Sequence, residues 1–280
     1  MTLLAVLTCF NRRPLTLACL ERLETAAREA QVHLRAILVD DASTDGTADA
    51  VRQRFAWVQI VHGPGNLYWN RGMHLGVGQA MSQPFEHLLW LNDDTQLLSV
   101  SISHLLAESA MLQARLGQPV LLVGATADEA GKLSYGGASS DGGLRRFAYH
   151  RVWDAQQPKP CQVVNGNCVL VPRALAQAVG NLDPVFEHAM GDTDYALRTA
   201  KSGFAVYAAS GIVGHCGNNS RSNTYLDRSL GRRERWRKML GRKGLPWRSW
   251  LHFTRQHGGV LWPLYFVWPY AKLWLLPRRV

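Results

Sequence analysis

Leu88-Leu89-Trp90-Leu91-Asn92-Asp93-Asp94 sets four apolar residues directly before an amide and two carboxylates. A short apolar run bounded by polar residues reads as a buried strand, so the three oxygen-bearing side chains emerge at its C-terminal end. In open α/β sheets that edge is where ligands bind. Hard oxygen donors spaced Asn-x-Asp or Asp-Asp suit Mg2+ or Mn2+, which are held by one or two carboxylates together with substrate phosphates. Asn92-Asp93-Asp94-Thr95 is also good turn and helix-cap chemistry. The surrounding chain has to decide between the two.

Outward from this stretch, apolar runs alternate with helical spacing. Strands are expected at Leu3–Thr8, Arg35–Val39, Trp57–Val61, Leu88–Leu91 and Val120–Val123. Helices are expected at Pro14–Ala30, Ala48–Phe55, Arg71–Met81 and Ser101–Arg115. Pro14 suits a helix start, where its missing N–H leaves nothing unpaired. Repeated βα units predict an α/β fold with a doubly wound, mainly parallel sheet and helices on both faces. Further on, Gly131–Ala138 reads as a hairpin and Cys161–Val171 as a strand containing Asn165-Gly166-Asn167. A helix over Asp192–Ser202, closed by Gly203, leads into a strand at Phe204–Ala208.

At 280 residues with 47% hydrophobic content, the chain is long enough for one large domain with an appendage. Its five cysteines are odd in number and lack C-x-x-C spacing, which suggests neither a disulfide framework nor a zinc knuckle and points to a reducing compartment. Met1–Cys9 is apolar without a basic leader or cleavage site and reads as a first strand, not a signal peptide. From Arg221 onward there are 14 Lys and Arg against two acids, so the formal charge of +10 belongs to the tail. Six of the ten tryptophans lie there too. A basic, Trp-rich segment suits an anionic membrane surface or nucleic acid. The body carries no basic footprint, which argues against nucleic acid.

Four ordered segments now stand together: Thr8-Cys9-Phe10-Asn11-Arg12, Val39-Asp40-Asp41-Ala42-Ser43, Leu91-Asn92-Asp93-Asp94 and Gly191-Asp192-Thr193-Asp194-Tyr195-Ala196-Leu197-Arg198. In that order and separation they resemble the family-2 glycosyltransferases with a GT-A fold, in particular bacterial rhamnosyltransferase-like enzymes of cell-surface polysaccharide synthesis. The likeness covers roughly residues 2 to 216.

The resemblance implies a nucleotide-sugar donor held by Thr8, Phe10, Asn11, Arg12, Asp40, Asp41, Asn66, Arg71, Asn92, Asp93 and Gly166. Asp40 and Asp41 would accept hydrogen bonds from ribose and base; the alternative is that they cap a helix, a task open to Ser43 and Thr44 as well. Arg71 offers a fork of donors to a diphosphate, or is a solvated helix residue. Asp94 would anchor Mn2+ or Mg2+, with His215 as a further ligand and Asn92 or Asp93 sharing the task. Asp192 matches the general base of an inverting transfer, although Gly191 stands where the family has Glu. Asp194 is expected to brace its helix.

The implied division is a catalytic domain over 1–220, with a nucleotide-binding half (1–98) and an acceptor half (99–220), followed by a tail over 221–280. Val260–Ala271 is apolar but about a dozen residues long, short of the ~20 that span a bilayer. With the cations of Arg232–Arg237 and Arg242-Lys243, it suggests a peripheral tether at the cytoplasmic face of the inner membrane. The alternative is that the tail packs back on the domain. The expected activity is metal-dependent transfer of a sugar from a UDP- or dTDP-sugar to a glycan or polyprenyl-linked acceptor. A non-catalytic nucleotide-sugar-binding relative and a metal-dependent nucleotidyltransferase are the alternatives. Against the last, no Gly-rich phosphate cradle follows the first strand.

Overall fold

A computed structural model describes residues 1–217 and 222–275, so the expected boundary at 220–221 lies outside the described residues. β1 (Thr2–Cys9), α1 (Arg13–Glu29), β2 (His33–Asp40), α2 (Thr47–Arg54), β3 (Val58–His62), α3 (Tyr68–Met81) and β4 (His87–Leu91) succeed one another as βα units. Then come β5 (Gln96–Leu97), α4 (Ser101–Leu116), β6 (Val120–Val123), β7 (Thr126–Ala127), β8 (Leu133–Tyr135), β9 (Gly137–Ser140), β10 (Tyr149–Val152) and β11 (Lys159–Pro160). β12 (Cys168–Pro172), α5 (Arg173–Val179), α6 (Gly191–Lys201), β13 (Ala205–Ala208) and β14 (Gly214–His215) complete the body. The tail forms α7 (Arg232–Leu240), α8 (Trp247–His257) and α9 (Trp262–Leu275).

The main sheet runs β11-β13-β6-β12-β4-β1-β2-β3. β3, β2, β1 and β4 are mutually parallel, and β12 runs antiparallel between β4 and β6. Strand periodicity explains the layering, because successive side chains face opposite sides. Leu3, Ala5, Leu7, Leu89 and Leu91 join one buried cluster with Leu20 and Leu23 of α1. Leu4, Val6, Leu88 and Trp90 join the other with Met73 of α3 and Tyr195 of α6. With both faces covered, the strand ends are what remains open to a ligand.

Two local expectations change. Gly131–Ala138 is not a hairpin: β8 pairs with β7, and β9 pairs with β10. The strand expected from Cys161 begins only at Cys168, because Asn165–Asn167 turns and the Asn167 carbonyl accepts the Asn92 N–H at 3.1 Å. That bond fastens the turn to the end of β4.

The tail helix α8 packs on the body. Its Trp250 and Phe253 form a third buried cluster with Phe186. His257 Nε2 donates to Asp194 Oδ1 at 2.7 Å, and His252 meets Asp183 at 2.9 Å. Packing back on the domain, the alternative to a free tether, is therefore what α8 does. Among the described residues, no helix is long and apolar enough to cross a membrane.

Candidate active site

The carboxylates after β4 are held by one guanidinium. Arg12 Nη1 donates to Asp93 Oδ1 at 2.9 Å and Nη2 to Asp94 Oδ2 at 2.7 Å. Burial drives the Asp93 pKa up to about 6, and the neighbouring Asp94 charge adds to that, while Arg12 pulls the other way. Asp94 is the more open of the two, with about a quarter of its side chain exposed (27%). Its Oδ1 accepts from the Cys216 thiol at 3.5 Å, and burial beside that carboxylate raises the thiol pKa to about 12.

Asn92 turns away from this pair. Its Oδ1 accepts from the indole Nε1 of Trp69 at 2.6 Å. The Trp69 ring lies so close to Gly166 that any Cβ there would overlap it. The Gly166 N–H in turn donates to Asp192 Oδ2 at 2.9 Å. Asn92, Trp69, Gly166 and Asp192 thus form one connected path from the end of β4 to the start of α6.

Asp192 is half-buried in the first turn of α6, where the helix dipole favours an anion. Its Oδ1 accepts the Thr193 N–H at 2.8 Å. Burial nevertheless raises its pKa, outweighing the N–H bonds from Thr193 and Gly166. The glycine before it also has a packing reason. A Cβ on Gly191 would overlap the side chain of Asn70 in α3, whose Nδ2 donates to the carbonyls of Asp183 and Phe186 at 2.8 and 2.7 Å. Asn70 fills the space that a larger residue at 191 would need.

The remaining expected donor residues divide. Asp40 is buried and accepts the Ser43 N–H at 2.9 Å. Asp41, also buried, accepts N–H bonds from Gly65 and Leu67, both at 2.7 Å. Asp41 thus braces the loop into α3, whereas the helix that follows it in sequence is α2. Asn11 adopts a left-handed φ of 52° and bridges two loops, accepting the Thr44 N–H at 2.8 Å and donating its own N–H to Ser43 at 2.9 Å. Arg71 donates to the Pro184 carbonyl at 3.0 Å and meets Glu187 at 3.5 Å, contacts that brace the loop before α6. Thr8 packs against Gly72 of α3. Phe10 and Asn66 are exposed at the rim.

His215 does not join Asp94. It is exposed, and alternation along the extended chain sends its side chain opposite to Cys216, the residue that reaches Asp94. Among the described residues, no three His, Cys, Asp or Glu side chains gather so as to hold a cation. Asp93 and Asp94 can supply the one or two carboxylates that a cation carried by a diphosphate requires, provided Arg12 yields them. A separate cleft of about 520 Å³ beside α4 is lined by His104 and Ser210 and lies away from these acids.

Residues 5–110 match the family model described as Glycosyl transferase family 2. Residues 5–110 thus carry a family-2 glycosyltransferase domain, and the fold is of the GT-A type. The chain superposes on a mannosyltransferase from Pyrobaculum calidifontis in complex with GDP-Man and Mn2+, with a TM-score of 0.53, 16% identity, and coverage of 98% of this chain and 70% of that one. It also superposes on S. aureus TarS in complex with UDP, with a TM-score of 0.55, 11% identity, and coverage of 90% and 69%. Uncharacterized proteins of Mycobacterium bovis and Mycobacterium tuberculosis are 28% identical over 178 residues. That match covers 61% of this chain and 60% of theirs.

Three residues around the candidate site carry no signal in the sequence reading. Trp69 lies between Asn66 and Arg71, and a tryptophan at helical spacing looks like core. Cys216 follows the more conspicuous His215. His257 acts on Asp194 from 63 residues away.

Proposed function

We propose that this chain is an inverting, metal-dependent glycosyltransferase that moves a sugar from a UDP- or dTDP-activated donor to a hydroxyl of a lipid-linked bacterial glycan, at the cytoplasmic face of the inner membrane. The observation that carries the reading is the path Asn92–Trp69–Gly166–Asp192, which ties the proposed base to the same strand end as Asp93 and Asp94. A carboxylate with a raised pKa is a stronger base toward an alcohol. The acceptor oxygen would attack the anomeric carbon while its proton passes to Asp192. The nucleoside diphosphate leaves with the bonding electron pair. One C–O bond forms, one breaks, and the configuration inverts.

Asp94, with Asp93 beside it, would hold Mn2+ or Mg2+. When bound, such an ion offsets the charge developing on the leaving diphosphate. Arg12 is charged and near both acids, so on release from them its fork of donors can turn to phosphate oxygens. The neighbours solved with GDP-Man and Mn2+ and with UDP support a nucleotide-sugar donor and add guanosine donors to those worth testing.

One observation favours a second reading, a nucleotide-sugar-binding protein without turnover: Arg12 spans both acids. A thermal-shift screen of UDP-, dTDP- and GDP-sugars with and without Mn2+, followed by product analysis, separates these. A true donor at a hundred times its Kd stabilises by about 2.7 kcal/mol. The proposal expects such a shift, dependent on Mn2+, and release of nucleoside diphosphate. Stabilisation without release supports the second reading. Pyrophosphate as product, or no shift with any donor, contradicts the proposal.

A further inference from the structure

α9 is apolar on both sides, yet only one side is covered. Phe266 and Tyr270 pack toward Trp250, and Leu273 is buried. On the opposite side Leu264, Val267, Trp268, Trp274 and Leu275 are 46–69% exposed. At 3.6 residues per turn these five fall within an arc of roughly 120°, the width of a helix face that normally meets a partner. Val260, just before the helix, is 94% exposed and continues the row. Contiguous exposed apolar surface of this kind marks a site of association.

The charges around the face indicate which partner. Arg232 and Arg233 of α7 border Trp274 at one end. Arg255 lies over the Trp262 ring at the other, 5.1 Å from its centroid. Lys272 is exposed on α9 itself. All four are exposed cations, and the nearest acid in sequence, Glu234, already pairs with Lys238 at 3.8 Å. An apolar face framed by cations, with tryptophan among its members, fits a helix lying in the headgroup boundary of an anionic leaflet.

We propose that the outer face of α9 inserts into an anionic lipid leaflet and that α8 carries this docking into the site. The coupling runs through α8, because His257 is hydrogen-bonded to Asp194, two residues from Asp192. A body attached in this way holds α6 at one height above the leaflet, suited to an acceptor whose lipid end stays in the bilayer. The proposal deepens the membrane-face reading above and rests on it.

The test is cosedimentation of the full chain with vesicles of phosphatidylcholine alone and with phosphatidylglycerol added, without any donor present. The wild type should bind the mixed vesicles and bind pure phosphatidylcholine at least about tenfold more weakly. Leu264→Glu/Val267→Glu/Trp268→Glu should abolish binding with an unchanged melting temperature, since all three side chains are already exposed. Arg232→Glu/Arg233→Glu should weaken it by about tenfold or more. Undiminished binding by the triple variant overturns the proposal. So does a wild-type dimer that the triple variant dissociates, with no vesicle binding, because the face would then belong to a second copy. Nucleoside diphosphate release measured in solution on the same samples separates the two failures: retained release without vesicle binding removes the lipid face and leaves the transferase reading standing.

Discussion

Buried acids meet two different solutions in this molecule. In the N-terminal part of the chain, Asp41 takes backbone N–H bonds from the loop before α3, and Asp93 takes Arg12, so each is settled by residues of the first 98. Asp194 in α6 is wholly buried, and its partners are Arg198 one turn on and His257 of the tail. Local capping makes the first region self-sufficient. The second depends on a segment that composition alone marks as an appendage. The difference means that α6, which bears the proposed base, and the tail should fail together, while the strand ends should tolerate change separately.

The largest effect should follow from breaking the buried pair. Asp194→Ala leaves His257 and Arg198 facing an apolar gap, and loss of one member of a buried ion pair costs about 3–5 kcal/mol. Thermal and urea unfolding should show that loss, and removal of the chain from residue 247 onward should act in the same direction by stripping His257 from Asp194. A drop within about 0.5 kcal/mol, the range of ordinary surface changes, would show that α8 is a passenger.

Gly166→Ala should act on the path to the base. The added methyl overlaps the Trp69 ring, and overpacking of this kind costs about 1–3 kcal/mol. Combining it with Trp69→Leu should return part of the stability, because contacting residues are not additive, but should not restore the bond to Asn92. Equal and independent losses in the double variant would separate the two positions.

The smallest effect is a pH dependence. Burial holds the His257 imidazole below its ordinary value of 6.5. The unfolded chain therefore binds more protons as the pH falls past about 6.5. Stability from the neutral ring is present above that value and is lost as the pH falls through it toward the folded value. The margin in melting temperature between wild type and His257→Gln should shrink from about pH 7.5 to 5.5. A margin that stays constant would mean that the ring does not titrate in this window.

These contrasts also explain what the sequence made legible. β1, β2 and β4 announce themselves as apolar runs, and α1 through its Pro14 start, because local periodicity specifies them. Asp93, Asp94 and Asp192 stand out because they fall in ordered segments that together resemble one family, although acids at element ends also cap helices and build turns. The partners do not stand out. Trp69 gains its meaning only from Gly166 and Asn92, which come from different elements, and Asn70 explains Gly191 only once α3 lies across the start of α6. His257 is one of ten histidines, and nothing in its neighbours points to Asp194. α9 is the converse case: its composition suggested a lipid surface, but only the fold distinguishes its covered side from its open one.

The account stands on Asp192 acting as the base, and Asp192→Asn is the direct measurement. The amide keeps the shape and can still accept the Gly166 N–H, but it cannot take a proton from an acceptor hydroxyl. With donor and acceptor identified, turnover should fall by about 10²–10⁴ while the donor Kd, measured by calorimetry, stays at the wild-type value. Retained turnover, or a loss of donor affinity as large as the loss of rate, would contradict it.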